Sequence, residues 1–326
     1  MKLLDTAFIA TLIAAAAAGA ARTSSSALAQ DDLSRPIRWV VPQPPGGASD
    51  TMARVIGQRL AEQWGRTIVI DNRPGASGII GASVVAKSTP NGLTWLNAYV
   101  GNHATIASIY KNLPFDPVKD FAAVATLGAV PYVLVVNPSL PAKTVQELVA
   151  LAKKEPGQLI FGGPNGSVNH LLGVMMNSRA GMDTRYVPYK VMIDAVIDTA
   201  GGRIQLAYGS SVAVIPFIRS GKLRALAVTS GRRSDALREV PTVAESGFPD
   251  FDVTPWFGIL VRACTPVALI RKINADVNKL LVQKDVIDRF AGAEPLVTTP
   301  EQFQKIVRDD MVKWAQVIKD AGIRAE

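Results

Sequence analysis

From Pro36 onward the chain alternates short apolar runs with stretches of helical period, and glycine or proline marks many of the change-overs. That alternation leaves few folds other than layered α/β ones. The run Ile37-Arg38-Trp39-Val40-Val41 is too short for a helix and is stopped by Pro42. Pro44-Pro45-Gly46-Gly47 reads as a turn, and Ser49 or Asp50 can cap the helix beyond it. In that helix Met52, Val55, Ile56, Leu60 and Trp64 recur on one face, and Gly65 ends it. A strand at 67–70, a helix at 79–87 and a strand at 93–100 repeat the order. Strand–helix–strand at this spacing predicts right-handed βαβ units and a parallel sheet.

The middle of the chain uses the same grammar. Strands are expected at 132–136, 159–161, 185–188, 204–208 and 223–229. Helices are expected at 145–154, 169–180, 193–200 and 212–220, the first capped by Thr144. The tail differs: after a run at 256–261 it reads as amphipathic helices at 266–282 and 300–321, with a shorter one at 285–291. Two α/β blocks on one chain predict two lobes with a cleft between them. The expected boundaries are a first lobe of 30–125 completed by 229–326, and a second lobe of 126–228.

The first 29 residues read as a processing segment. Lys2 precedes an apolar run at 6–21, then polar residues 23–26, then Ala27-Leu28-Ala29. This is the order of a secretory signal, with cleavage expected after Ala29. The run is shorter than the roughly 20 residues of a spanning helix. The mature protein is therefore expected in the periplasm.

Composition narrows the function. One cysteine excludes an intrachain disulfide framework and a Cys-rich zinc site, and two histidines exclude a His-rich metal centre. A net charge of +8 favours anionic partners, but no dense basic run exists and aromatics are only 6% of the chain, so nucleic acid is not an expected partner. Gly75-Ala76-Ser77-Gly78 lacks the glycine two residues after serine that a nucleophile elbow requires. There is no phosphate-binding loop and no dinucleotide fingerprint. Cys264 reads as a half-buried small residue. No cofactor is expected.

Three glycine-containing turns precede helices: 46–50 (Gly46, Gly47, Ala48, Ser49, Asp50), 101–105 (Gly101, Asn102, His103, Ala104, Thr105) and 165–170, with Asn165, Ser167 and His170. In a parallel α/β sheet such turns lie beside the crevice at the strand ends. Helix starts offer unpaired N–H groups suited to a carboxylate or phosphate. Each turn read alone is as well explained by helix capping; the set of three points to an anion clamp. His103 and His170 read as hydrogen-bonded residues, structural or touching ligand. Lys190 is open between a surface ammonium and a ligand cation.

Several segments together resemble a known family. They are 36–50 (PIRWVVPQPPGGASD), 69–81 (VIDNRPGASGIIG), 113–121 (LPFDPVKDF), 187–190 (VPYK), 221–230 (GKLRALAVTS), 240–247 (VPTVAESG) and Trp256-Phe257-Gly258. The chain resembles the Bug family, the extracytoplasmic solute-binding receptors of tripartite tricarboxylate transporters. The resemblance implies a two-lobed, type II-like periplasmic binding protein that closes about a hinge, without catalysis. It implies a small organic carboxylate held by the three turns and by the helix start after Tyr189 and Lys190. Membrane permease subunits are the implied partners, and a monomer is expected. A sensor protein in place of the permease is the alternative, and a secreted hydrolase a weaker one.

Departures from the family pattern shape the expected ligand. Gln205 and Gly209, on the strand that carries Tyr208, stand where the family often has two aspartates. An ammonium-bearing ligand would lose a counter-charge there. Ile106, Val174 and Val191 replace an asparagine, a glutamate and a glycine of the family pattern. These changes predict a ligand with an apolar or aromatic body and at least one carboxylate, since a compact tricarboxylate would leave groups unpaired.

Overall fold

The computed structural model describes residues 35–110, 112–290 and 293–320. The expected signal segment lies outside the described residues. The chain opens with β1 (Ile37–Val41), α1 (Ala48–Trp64), β2 (Ile68–Asn72), α2 (Ile79–Ala86) and β3 (Thr94–Tyr99). Strand β1 lies between β2 and β3 and runs parallel to both. Trp39 and Trp95 face each other in this register and meet edge-to-face at 5.3 Å, and Trp64 closes on Trp95 at 6.0 Å. This aromatic stack seats α1 on the sheet. Gly65 ends the helix in the left-handed conformation, φ 62°.

A π-helical turn at Gly101–Thr105 runs into the short α3 (Ile106–Ile109), and β4 (Phe121–Ala129) follows. Only Val130 and Pro131 separate β4 from β5 (Tyr132–Val136), which belongs to a different sheet. Then come α4 (Val145–Lys154), β6 (Ile160–Gly163), α5 (Val168–Ala180), β7 (Arg185–Pro188), α6 (Met192–Ala200), β8 (Leu206–Ser210), α7 (Ser211–Arg219) and β9 (Arg224–Val228). This second sheet has the order β7-β6-β8-β5-β9. The chain then returns to the first sheet. Thr229 N donates to Tyr132 O at 2.8 Å, Val253 N to Thr229 O at 2.8 Å and Val130 N to Pro255 O at 2.9 Å. These bonds stitch the outgoing and returning segments together.

Strand β10 (Trp256–Arg262) inserts between β3 and β4, antiparallel to both. Helices α8 (Val267–Leu281) and α9 (Lys284–Ile287), the two-residue β11 (Glu294–Pro295) and α10 (Pro300–Asp320) finish the chain. The first sheet therefore reads β11-β4-β10-β3-β1-β2. One apolar cluster runs from Leu96 and Leu260 in the first sheet to Leu134 and Phe161 in the second, so the lobes are packed on each other.

The expected parallel sheet needs correction. Both sheets are mixed, because β10 and β11 are antiparallel in the first and β5 is antiparallel to β8 and β9 in the second. Strand β4 went unrecognised, as its Ala-rich sequence carries only Val124 and Thr126 of the β-branched residues that mark a strand. It ends at Ala129, and Val130-Pro131 lead from it into the second sheet. Cys264 is exposed rather than half-buried, on a left-handed turn at φ 68°. Among the described residues no helix is long and apolar enough to cross a membrane.

Candidate functional site

A cavity of about 690 Å³ lies between the lobes. The second lobe contributes helix starts. Val168 and Asn169 open α5 behind the turn Pro164-Asn165-Gly166-Ser167, Met192 opens α6 behind Lys190 and Val191, and Ala213 lies in the first turn of α7 behind Ser210. Ser167 caps α5 by accepting the His170 N–H at 3.4 Å, while its hydroxyl donates to Pro164 O at 2.6 Å. The first lobe contributes Gln43, Ser77, Tyr99, Gly101, Thr105, Ile106, Ile109 and Tyr110, with Trp256 and Phe257 from β10. Tyr132 lines the cavity from the start of β5.

Of the residues expected at the site, Gly101, Thr105, Asn165, Ser167 and Lys190 line the cavity. The rest do not, and each has a physical reason. Gly46, Gly47, Ala48, Ser49 and Asp50 form the start of α1. Asp50 is 3% exposed and accepts hydrogen bonds from Gly46 N (3.0 Å), Arg54 Nε (2.9 Å) and Asn72 Nδ2 (2.9 Å). Burial opposes its ionisation, but these donors and the Arg54 charge hold its carboxyl below the usual range. The Ser49 hydroxyl is buried and accepts from Asn97 Nδ2 at 2.7 Å. Asn102 turns inward to accept the Tyr99 N–H at 2.7 Å. His103 is buried edge-on against Phe121, and desolvation lowers its pKa to about 4.

His170 stacks on Tyr186 at 3.7 Å, and its Nδ1 accepts the Gly166 N–H at 3.3 Å. It holds the lining turn from behind instead of reaching the cavity. Tyr189 covers Gly162 and donates to Asp198 at 2.9 Å. Tyr208 is 1% exposed in the core, and Gly209 sits beneath Val214. Gln205 accepts the Ile160 N–H at 3.0 Å, joining the starts of β8 and β6. Ile106 and Val191 line the cavity, whereas Val174 does not.

The aromatic wall and Ser77 were not anticipated. Tyr99 sits on a strand that reads as ordinary core, and Ser77, Trp256 and Phe257 lie in segments that carry the family resemblance without being marked as cavity lining. Among the described lining residues Lys190 is the single charged side chain, and none is acidic. Burial pushes the Tyr99 hydroxyl up to about 12 and raises that of Tyr132 as well, so both stay protonated donors. Among the described residues no three His, Cys, Asp or Glu side chains gather as a metal site.

A sequence profile of tripartite tricarboxylate transporter family receptors matches residues 52–323. The chain belongs to that receptor family. The receptor is 37% identical over 294 residues to Protein BugT of Bordetella pertussis, covering 89% of this chain and 90% of BugT. Its structure is similar to that of R. palustris Rpa4515 with adipate, with a TM-score of 0.80, 36% identity, and coverage of 89% of this chain and 99% of that one. The periplasmic binding protein BugD is similar too, with a TM-score of 0.77, 30% identity, and coverage of 89% and 99%. The receptor has the two-lobed fold of these periplasmic binding proteins, and its relatives are solute-binding proteins, not enzymes.

Proposed function

We propose that the receptor captures a small organic carboxylate with an apolar body in the interlobe cavity and delivers it to the permease subunits of a tripartite transporter. The observation that carries the reading is the lining itself. It has one cation, Lys190, beside the starts of three helices, no acidic side chain among the described residues, and a broad aromatic surface. Helix starts and an ammonium attract an anion, while the absence of carboxylates disfavours an ammonium-bearing ligand. Adipate in Rpa4515 supports the carboxylate class. Within the proposed site Gly101, Thr105, Asn165, Ser167 and Lys190 contact the ligand. We further infer that residues 1–29 are an export signal, that the mature chain works as a monomer, and that the lobes divide at Val130-Pro131 and near 229.

A thermal shift screen on refolded, ligand-stripped residues 30–326 tests this. Aliphatic di- and tricarboxylates, aromatic acids, acidic amino acids and methyl esters form the panel. A ligand at 100-fold its Kd adds about 2.7 kcal/mol, a shift of several degrees for a chain of this size. Apolar-bodied carboxylates are expected to shift the transition and their esters to fail. Tight citrate binding with no response to any aromatic acid would overturn the reading.

A further inference from the structure

Part of the cavity wall is held from behind by the last helix. Trp256 lines the cavity from the first position of β10. It stands opposite Ala129 of β4 and follows Pro255, whose carbonyl accepts the Val130 N–H. The ring therefore sits where the returning chain rejoins the first sheet, beside the crossing between lobes. On its far side is α10. The Trp256 and Phe303 rings meet edge-to-face at 5.0 Å, and the Trp256 indole N–H donates to Asp310 Oδ2 at 2.7 Å. The same helix packs on the π-helical turn at Gly101–Thr105 and on α3, which bring Gly101, Thr105, Ile106 and Ile109 to the cavity.

The two contacts with α10 constrain the ring differently. Phe303 fixes how closely the ring approaches, and Gly258 makes room for it, since a Cβ there would lie 2.4 Å from the Phe303 ring. An apolar contact of this kind does not say which edge of the indole faces the helix, because the terminal torsion of tryptophan is broad and roughly two-fold. The hydrogen bond does say, because one edge alone carries the donor. Trp256 is 2% exposed, so its N–H needs an acceptor within the protein. Without Asp310, the cavity beside the ring is where water could supply one, and reaching it means turning the donor edge into the ligand space. The carboxyl itself is poorly placed for a charge. Burial raises its pKa against the pull of Lys313 and of the Trp256 N–H, and Asp252 and Asp309 add to the rise.

We propose that Asp310 is a positioning residue for the ligand site: by accepting the Trp256 N–H it keeps the indole turned away from the cavity, as a fixed apolar wall. The consequence for binding rests on the carboxylate reading of the same cavity. Indole ¹⁵N NMR and titration calorimetry with adipate, on residues 30–326, test it in the parent, Asp310→Asn and Asp310→Leu, with Trp256→Phe to assign the resonance. Asparagine keeps an acceptor oxygen and leucine has none. The parent and Asp310→Asn are expected to share one slowly exchanging Trp256 indole proton, and Asp310→Leu to show it shifted and exchanging fast. Adipate affinity is expected within about twofold of the parent for Asp310→Asn and about tenfold weaker for Asp310→Leu, the loss that follows when the wall orientation is occupied about a tenth of the time. If Asp310→Leu does not fold, Asp310→Ala takes its place. A purely structural role would lower the melting temperature of the acceptor-free variant without changing its indole exchange or its affinity, and that result would overturn the proposal. So would an Asp310→Asn variant that loses affinity as far as Asp310→Leu, since charge and not the hydrogen bond would then be at work. A parent that does not bind adipate would count against the carboxylate reading instead, because indole exchange is read without ligand and still decides whether Asp310 holds Trp256.

Discussion

Asp50 shows how a residue with the right chemistry for a ligand can be spent on the fold. Three donors, from Gly46, Arg54 and Asn72, converge on a carboxylate that is almost wholly buried. Asp50→Ala would remove the acceptor they share, although Asn72 Nδ2 keeps Gln43 O and Arg54 keeps Asn72 Oδ1, and a loss of about 1–3 kcal/mol in urea unfolding is expected. Affinity for whatever carboxylate binds should stay within about twofold, since Asp50 does not line the cavity. The histidines act on the fold in the same way. Both have pKa values lowered from 6.5 to about 4 by burial, so in the fold they stay neutral where the unfolded chain protonates. The unfolded state then binds more protons between those values, and stability rises with pH across the window. Their contribution is fully present above pH 6.5 and lost as pH falls towards 4. Unfolding at pH 5 should take up close to two protons, a slope readable from urea midpoints between pH 4 and 7. Residue identity alone could place Asp50, His103 and His170 at polar turns but could not say which way each faced. That depends on partners such as Asn72 and Phe121, which are remote in sequence.

At the scale of elements the sequence was more legible. Alternating apolar runs located most strands, and the 3.6-residue period located α1, α8 and α10 to within a residue or so. Strand β4 escaped because small residues carry no periodic signal, and the direction of β10 escaped because an antiparallel partner leaves no mark on a strand buried on both faces. Glycine within a helix is another case where the reason is remote. Gly173 lies in α5, where alanine has the better intrinsic propensity by about 1 kcal/mol. Yet a Cβ there would lie 2.2 Å from the Phe161 ring. Gly173→Ala is therefore expected to destabilise, by about 1–3 kcal/mol of overpacking, against the direction that helix propensity predicts. A lowered melting temperature with unchanged helix content by circular dichroism would show it; a raised one would place Phe161 elsewhere.

At the scale of the whole molecule the lobes approach each other at the cavity through Ile109 and Gly166, where a Cβ on Gly166 would lie 3.1 Å from the Ile109 side chain. Ile109→Ala removes this contact. It should raise the Kd for a bound carboxylate several-fold, mainly through faster dissociation, with a melting temperature within a few degrees of the parent; stopped-flow release would resolve the rate. The cleft was legible as a consequence of two α/β blocks, but its lining was not, because it arises from which ends of which strands the crossing at Val130-Pro131 brings together. The insertion of β10 between β3 and β4 has a further consequence, one of timing. The second sheet is drawn from one unbroken stretch, Tyr132 to Val228, whereas the centre of the first is a strand made about 130 residues after its neighbour β4. As the polypeptide is synthesised from its N-terminus, β3 and β4 stay unjoined until Arg262 has emerged. The smaller lobe can form while the larger is still an open chain, and the cavity comes into being only when the last quarter of the protein arrives to close it.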